Sequence, residues 1–510
     1  MADSPQGDPR RWWALGALVV AVLVLGYDMT VLNVALPTLA AELHAGTGEQ
    51  QWFVNAFLVV FAAALLPAGL LGDRFGRRRM LVTGLVITLA GSFLGAFADT
   101  PGALIAARGV MGLGAALVSP LAVAVLPSLF GPAERGRAIA TVTSGLAVGM
   151  PLGPLVGGWL LDRYWWGSTF LLSVPLIAAG IAACLLLLPE SRDPAAPRVD
   201  PVATALSAGG LGALVFGLIE GPGRGWDDPV VLGTLGGSVP LLALLVAHER
   251  RRARPMLDVG LLRLPGFGGN ALVGALISFI LAGLLFVLPQ YLQAVRGHDA
   301  FGTGIRVMPL LAGLLVAARG CPPLVGQFGR RGVVATGLVL LCFSGVLGST
   351  TEPDSGFALT AAWMTVTGLG AGLSLVPAMD AALGALPRER AGVGSGLLMA
   401  TRQVGGALGV ALLGSLLAQV YRDRLTTDGL PAAAAATARE SVVAAHAVAD
   451  RRGLTALAES ADAAFVHGMS VTLYLCAIAA LAAALVAGLV LAPRRAGEPV
   501  AAPAEGEARA

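Results

Sequence analysis

The chain has 510 residues, 56% of them hydrophobic and only 13% charged, with a mean hydropathy of +0.78. Soluble domains carry about twice that charged fraction, which argues against a water-soluble enzyme. All 34 basic residues are arginines, set against 31 acids for a net charge of +3. Without lysine there is neither a P-loop lysine for ATP nor a Schiff base. The 69 glycines and 31 prolines suit transmembrane helices, where both are more frequent than in soluble ones. Cys184, Cys321, Cys342 and Cys476 lie in or beside apolar runs without paired spacing and read as buried hydrophobes. The five histidines are scattered, with no HExxH or HxxxH pair. No metal site, no cofactor and no nucleic-acid partner is therefore expected.

A helix crossing the hydrocarbon core needs about 20 apolar residues. Fourteen stretches qualify: 12–36, 51–71, 79–97, 102–128, 138–162, 166–188, 203–221, 230–247, 269–294, 303–324, 331–349, 357–384, 392–420 and 470–491. The first follows Arg10–Arg11 as a signal peptide would, but it is longer than a signal h-region and contains Asp28, so it reads as an uncleaved span. With the N-terminus inside, 22 arginines fall on the cytoplasmic side and three (Arg163, Arg224, Arg296) in short outer loops. Five more sit in the long loop 421–468, which weighs little in the positive-inside rule. Both termini are expected to be cytoplasmic.

GLGAALVSPLAVAVLPSLFGPAERGRA from Gly112 resembles GLGAGLSLVPAMDAALGALPRERAG from Gly368, at an offset of 256. Glu134–Arg135 matches Glu389–Arg390, and GDRFGRR (Gly72–Arg78) resembles GQFGRR (Gly326–Arg331) with Gly76 over Gly329. An even number of spans separates the copies, so they share one orientation. The expected organisation is an N-terminal six-helix bundle (1–188), a two-span insert with cytoplasmic linkers (189–266), and a C-terminal six-helix bundle (267–510) with the outer loop 421–468. Such parallel repeats place a binding site near the midplane between the bundles. The loop 421–468, alanine-rich with alternating charge, reads as one or two short amphipathic helices and as a solvated spacer more readily than a lid.

Ionisable residues inside spans are costly and mark function by default. Asp28 lies ~12 Å and Arg108 ~9 Å below the outer ends of their spans at 1.5 Å per residue, so the two could meet. Burial and a neighbouring arginine act on a carboxyl in opposite directions, which would leave Asp28 able to gain and lose a proton; a static ion pair is the alternative. Arg306 and Arg319 fall near span ends and could snorkel. Arg402 with Gln403, Asp380, Tyr27, Asn33 and Asn55 are candidate cavity residues, Asp380 with Arg388 or Arg390 as an alternative partner. Gln290 and Gln293 could equally hydrogen-bond between helices.

Gly145, Gly149, Gly153 and Gly157 recur every four residues in the fifth span, with Pro151 and Pro154 between. They form a ridge without side chains on which another helix can pack closely, and the prolines should bend the span. In GLLGDRFGRRRML (Gly69–Leu81), between the second and third spans, Gly72 and Gly76 permit a tight turn. Asp73 can cap the next helix and attract an arginine, with Arg77–Arg79 facing the cytosol.

Taken together, these motifs resemble the fourteen-span drug:proton antiporter family of the major facilitator superfamily over nearly the whole chain. GYDMTVLNVALP (Gly26–Pro37) is similar to that family's first-span motif, in which the aspartate matching Asp28 is implicated in coupling. GLLGDRFGRRRML resembles the loop motif, where Gly69, Asp73, Arg74, Gly76 and Arg77 would belong to a cytoplasmic gate and Asp73, Arg74 and Arg77 to its charge network. LIAARGVMGLGAA (Leu104–Ala116) resembles the fourth-span motif, whose arginine matches Arg108 and is linked to proton transfer. GMPLGPLVGG (Gly149–Gly158) resembles the antiporter motif of the fifth span. Departures are Met111, where glutamine is usual, and Ser173, where asparagine is usual. No counterpart stands out for the extra carboxylates of dication exporters.

The resemblance implies an all-α integral membrane protein of the major facilitator fold, two parallel-repeat six-helix bundles plus two extra central spans. The expected function is proton-coupled export of amphipathic drugs or antibiotics by alternating access, not enzymatic catalysis. The expected location is a bacterial cytoplasmic membrane, with lipid, protons and a small-molecule substrate as partners and the protein a monomer. An importer or lipid exporter of the same fold, or a non-transporting receptor or scaffold, is the alternative.

Overall fold

A computed structural model describes residues 10–192, 199–252, 258–386 and 391–490. Arg388, Glu389 and Arg390, invoked above for pairing and for the repeat, lie outside the described residues, as do Arg198, Arg254, Arg494, Arg495 and Arg509. Among the described residues the chain is helical and without strands. The first group of helices is α1 (Arg10–Glu42), α2 (Thr47–Phe75), α3 (Arg77–Ala96), α4 (Pro101–Ala124), α5 (Leu126–Leu129), α6 (Pro132–Arg163), α7 (Ser168–Leu171) and α8 (Ser173–Leu187). A pair follows, α9 (Pro201–Arg224) and α10 (Pro229–Arg250). The last group is α11 (Pro265–Gln290), α12 (Ala300–Gly348), α13 (Phe357–Gly384), α14 (Ala391–Arg424), α15 (Ala432–Glu440), α16 (Val442–Arg452) and α17 (Thr455–Val490).

Proline at the first helical position, preceded by an oxygen-bearing side chain, starts several of these helices, since proline lacks only an N–H that would be unpaired there. Thr100 caps α4, Asp200 caps α9 and Asp228 caps α10 through backbone N–H groups. Among the described residues, twelve helices are long and apolar enough to cross a bilayer, or thirteen if the bent α2 is one span. One of the twelve, α12, has 49 residues and would be ~73 Å long if straight, over twice the ~30 Å hydrocarbon core. It is instead a hairpin. Gly329 breaks it at φ 73°, and its two arms run in opposite directions along α13. Leu310 packs at Gly368 and Ala317 at Gly372, whereas Gly337 packs at Gly370 and Gly348 at Trp363. It thus carries two of the expected spans, 303–324 and 331–349.

The repeat is visible in the backbone. Gly76 between α2 and α3 has φ 113°, and Gly329 occupies the same corner of the second copy. On α4, a Cβ at Gly112 would lie 2.5 Å from the Phe57 carbonyl oxygen, and one at Gly114 2.7 Å from that of Gly84. On α13, Gly368 stands 2.0 Å from the Leu310 oxygen and Gly370 2.6 Å from that of Gly337 by the same construction. The paired positions Phe57 and Leu310, and Gly84 and Gly337, are each 253 apart, like Gly76 and Gly329.

The expected ridge on α6 is present, though α6 runs unbroken through Pro151 and Pro154. Added Cβ atoms would meet Val19 O at Gly145 (2.8 Å), Leu23 O at Gly149 (2.2 Å), Thr30 Oγ1 at Gly153 (2.1 Å) and Val31 Cγ2 at Gly157 (2.3 Å). α1 and α6 therefore pack backbone to backbone.

Candidate functional site

Close packing on α6 fixes the register of α1, and with it Asp28. Thr30 donates its hydroxyl to Met150 O (2.8 Å) on α6, and Tyr27 donates to Thr169 O (2.9 Å) on α7. Between these anchors Asp28 is 2% exposed. Its Oδ1 accepts from Ser173 Oγ at 2.9 Å, while Oδ2 has no hydrogen-bond partner. Arg108, also buried, donates Nε to Phe53 O at 3.0 Å, faces Met111 Sδ at 3.9 Å, and stacks 4.7 Å from the centre of the Phe57 ring. The two charges interact through space but form no ion pair within 4.0 Å, so the expected meeting is a neighbourhood rather than a contact. Ser173 and Met111, the two departures from the family pattern, are among the residues that touch Asp28 and Arg108.

The remaining candidates divide. Asn33 bonds within its own helix to Met29 O, as Gln290 does to Phe286 O. Asn55 is fully buried with neither side-chain atom partnered. Gln293 reaches across to Val34 O at 2.8 Å. Arg306 donates to Gly302 O and lies over the Phe357 ring, and Arg319 is exposed. Asp380 is exposed too. Arg402 is half-buried among Ser278 Oγ (3.3 Å), Met379 Sδ (3.3 Å) and Met399 Sδ (3.7 Å); Gln403 Nε2 is buried without a partner.

At the loop motif, Asp73 does not cap α3. It lies in the last turn of α2 and pairs with Arg77 (2.8 Å), one turn on, because the turn itself is made by Gly76. Gly72 is inside the helix, facing Leu121, and supplies no turn. Gly69 has open space around it, and Arg74 lies over the Phe75 ring. Arg78 and Arg79 do not simply face solvent: Glu190, following α8, receives the Arg78 backbone N–H (3.2 Å) and lies near both guanidinium groups (3.8 and 3.6 Å).

Hydrogen bonds between the two groups gather at the arginine-poor end. Asp162, ending α6, accepts from the backbone N–H groups of Ala300 (3.1 Å) and Phe301 (3.0 Å) at the start of α12. Ser415 on α14 donates to Gln51 on α2 and to Leu218 O on α9. The segment 421–468 is no solvated spacer: Thr47 donates to Glu440 O (2.8 Å), Tyr421 to Ala438 O (3.0 Å), and Arg422 to Pro222 O. Within it Val442, Ala445, Val448 and Ala449 are buried. Alanine content and alternating charge conceal this, because small side chains bury as readily as they face water.

Residues 18–419 match the Major Facilitator Superfamily. The chain belongs to that family. It is 32% identical over 491 residues to the tetracenomycin C resistance and export protein of Streptomyces glaucescens, covering 94% of this chain and 91% of the relative. It is likewise 32% identical to the multidrug efflux pump LfrA of Mycolicibacterium smegmatis, covering 94% and 96%. Among solved structures, the inward-facing, unoccupied bacterial homologue of the lysosomal transporter Spinster superposes with a TM-score of 0.69 at 19% identity, covering 95% and 98%. This major facilitator protein is a multi-pass membrane transporter and not an enzyme.

Proposed function

We propose that this major facilitator protein exports amphipathic drugs or antibiotics from a bacterial cell in exchange for protons. In this reading the chain crosses the cytoplasmic membrane fourteen times as a monomer, with both termini in the cytosol. Residues 1–188 and 267–510 act as the two moving bundles, with 189–266 inserted between them. The observation that carries the reading is Asp28: a buried carboxylate with one oxygen held by Ser173 and the other free, near Arg108. The free Oδ2 is where a proton would be received and given up. Relatives named for resistance and efflux support the direction of transport.

The two groups are joined at the arginine-poor end, and opening there would separate Asp162 from α12 and Thr47 from Glu440. At ~2.3 kcal/mol per charge per 100 mV, one net charge per cycle sustains a gradient of roughly 50-fold.

The test is dye uptake by everted vesicles with lumenal pH recorded, using cationic ethidium and anionic 9-anthracenecarboxylate in parallel. Wild type should take up at least one dye in a gradient-dependent manner, and Asp28→Asn, still folded, should not. Equal uptake by both proteins would remove Asp28 from coupling. If wild type moves neither dye, the exporter reading fails.

A further inference from the structure

We propose that Arg402 is the anion-recognition residue of the transport path, receiving the carboxylate or phenolate of an amphipathic organic acid; this rests on the exporter reading and names its substrate class. Arg402 stands eleven residues into α14, ~17 Å along the helix, too deep to reach an interface easily. Its partners are a hydroxyl and two thioethers, all neutral, the thioethers weak acceptors. Among the described residues no carboxylate lies within 4.0 Å of it, and Nη2 makes no hydrogen bond. Arg108, by contrast, has a backbone carbonyl, an aromatic face and the nearby charge of Asp28.

The direction in which Arg402 points follows from helix periodicity. Residues four apart share a face, and a Cβ at Gly406 would lie 3.5 Å from Ala282 of α11 and 3.9 Å from Leu58 of α2 in the other group. Arg402, one turn from Gly406 and further from the joined end, lies between α11 and α13 beside Ser278 and Met379, on the face of α14 that reaches α2 at Gly406. A half-buried charge flanked only by neutral groups attracts an opposite charge, and a guanidinium presents a planar fork matched to carboxylate oxygens. Met379 and Met399 supply an adaptable, polarizable wall beside that fork, suited to an aromatic body attached to the acid.

The experiment uses the full chain in phosphatidylcholine nanodiscs and a matched fluorescent pair, 9-anthracenecarboxylate and 9-anthracenemethanol, titrated at neutral pH. Wild type should bind the acid at least tenfold more tightly than the alcohol, about 1.4 kcal/mol. Arg402→Gln should bring the two within twofold by weakening the acid alone, and Arg402→Lys should keep part of the preference. No preference in wild type, or an undiminished one in Arg402→Gln, overturns the proposal, as does equal loss of both ligands, which marks a packing residue. Loss of the preference on adding phosphatidylglycerol also overturns it, by assigning the site to a lipid headgroup. The wild-type comparison stands even if the variants fold poorly. Gradient-driven uptake of at least one of the two vesicle dyes by wild type, measured alongside, keeps failure of this proposal distinct from failure of the exporter reading.

Discussion

Replacing Gly149 with alanine tests whether the contact between α1 and α6 positions the site. The new Cβ would stand 2.2 Å from the Leu23 carbonyl oxygen and 3.0 Å from the Tyr27 nitrogen. Carbon–oxygen contacts settle at roughly 3.3–3.6 Å, so the helices must part by about 1 Å. Both obstructing atoms are backbone and cannot rotate away. Asp28 follows Tyr27, so a shift of that size would stretch its 2.9 Å bond to Ser173 past hydrogen-bonding range. Gly136→Ala on the same helix is the control, because nothing lies within 4 Å of its Cβ. Both substitutions gain the same helix propensity, about 0.5–1 kcal/mol, so the difference between them isolates the overpacking cost, about 3 kcal/mol at the upper end of its usual range. Gly157→Ala should fall between, since its Cβ meets a side-chain methyl of Val31 rather than backbone. Thermal unfolding in nanodiscs gives the order of stability, and vesicle dye uptake gives function. A Gly149→Ala protein as stable and active as Gly136→Ala would refute the reasoning.

Three further outcomes follow from the same geometry. Ser173→Ala leaves Asp28 without its hydrogen-bond donor, which should cost about 1–3 kcal/mol and slow gradient-dependent uptake, with Ser173→Thr restoring it; unchanged uptake in the alanine variant would show the contact to be incidental. In the 421–468 segment, the hydrogen bond from His446 to Asp462 (2.8 Å), opposed by burial and aided by the charges of Asp462 and Asp450, raises the imidazole above its ordinary 6.5. A raised folded pKa stabilises fully below 6.5 and is lost as pH rises through the folded value, so His446→Gln should lower the thermal midpoint more at about pH 5.5 than at about pH 8.5; an equal loss at both would deny an ionic role. Asp200 caps α9 through Val202 and Ala203 and meets His248 and Arg252, so Asp200→Ala should cost about 1 kcal/mol or more, measured by unfolding, and more than Asp200→Asn, which keeps a capping oxygen.

Hydropathy made most of the fold legible, because a bilayer allows a chain of this composition little besides helices. Glycine spacing on α6 likewise named its own purpose, since a row of absent side chains can serve only close approach. Local electrostatics misled where a turn was involved. Asp73 looked like a cap because it precedes a helix, but Gly76 makes the corner and leaves Asp73 one turn back, opposite Arg77. Contacts between distant segments left no local signal. Nothing in the sequence around Asp162 announces that it receives two N–H groups from α12, or around Glu440 that its carbonyl accepts from Thr47.

The repeat explains why the chemistry differs between halves while the scaffold does not. Gly149 closes on the Leu23 oxygen and Gly405 on that of Ala275, by 2.2 and 2.3 Å measured from an added Cβ. Leu23 and Ala275 are 252 residues apart and the two glycines 256, so the same helix crossing has been built twice. Carried across with those offsets, Asp28 falls on Ile280 and Arg402 falls on Leu146. Each half therefore has an apolar residue where the other holds its charge. Backbone contacts through small residues constrain both copies to one geometry, whereas the side chains facing the boundary between them are free to diverge. An acid, Asp28, can then sit in one half and a cation, Arg402, in the other, neither neutralising its counterpart, because the duplicated frame holds them at non-equivalent positions.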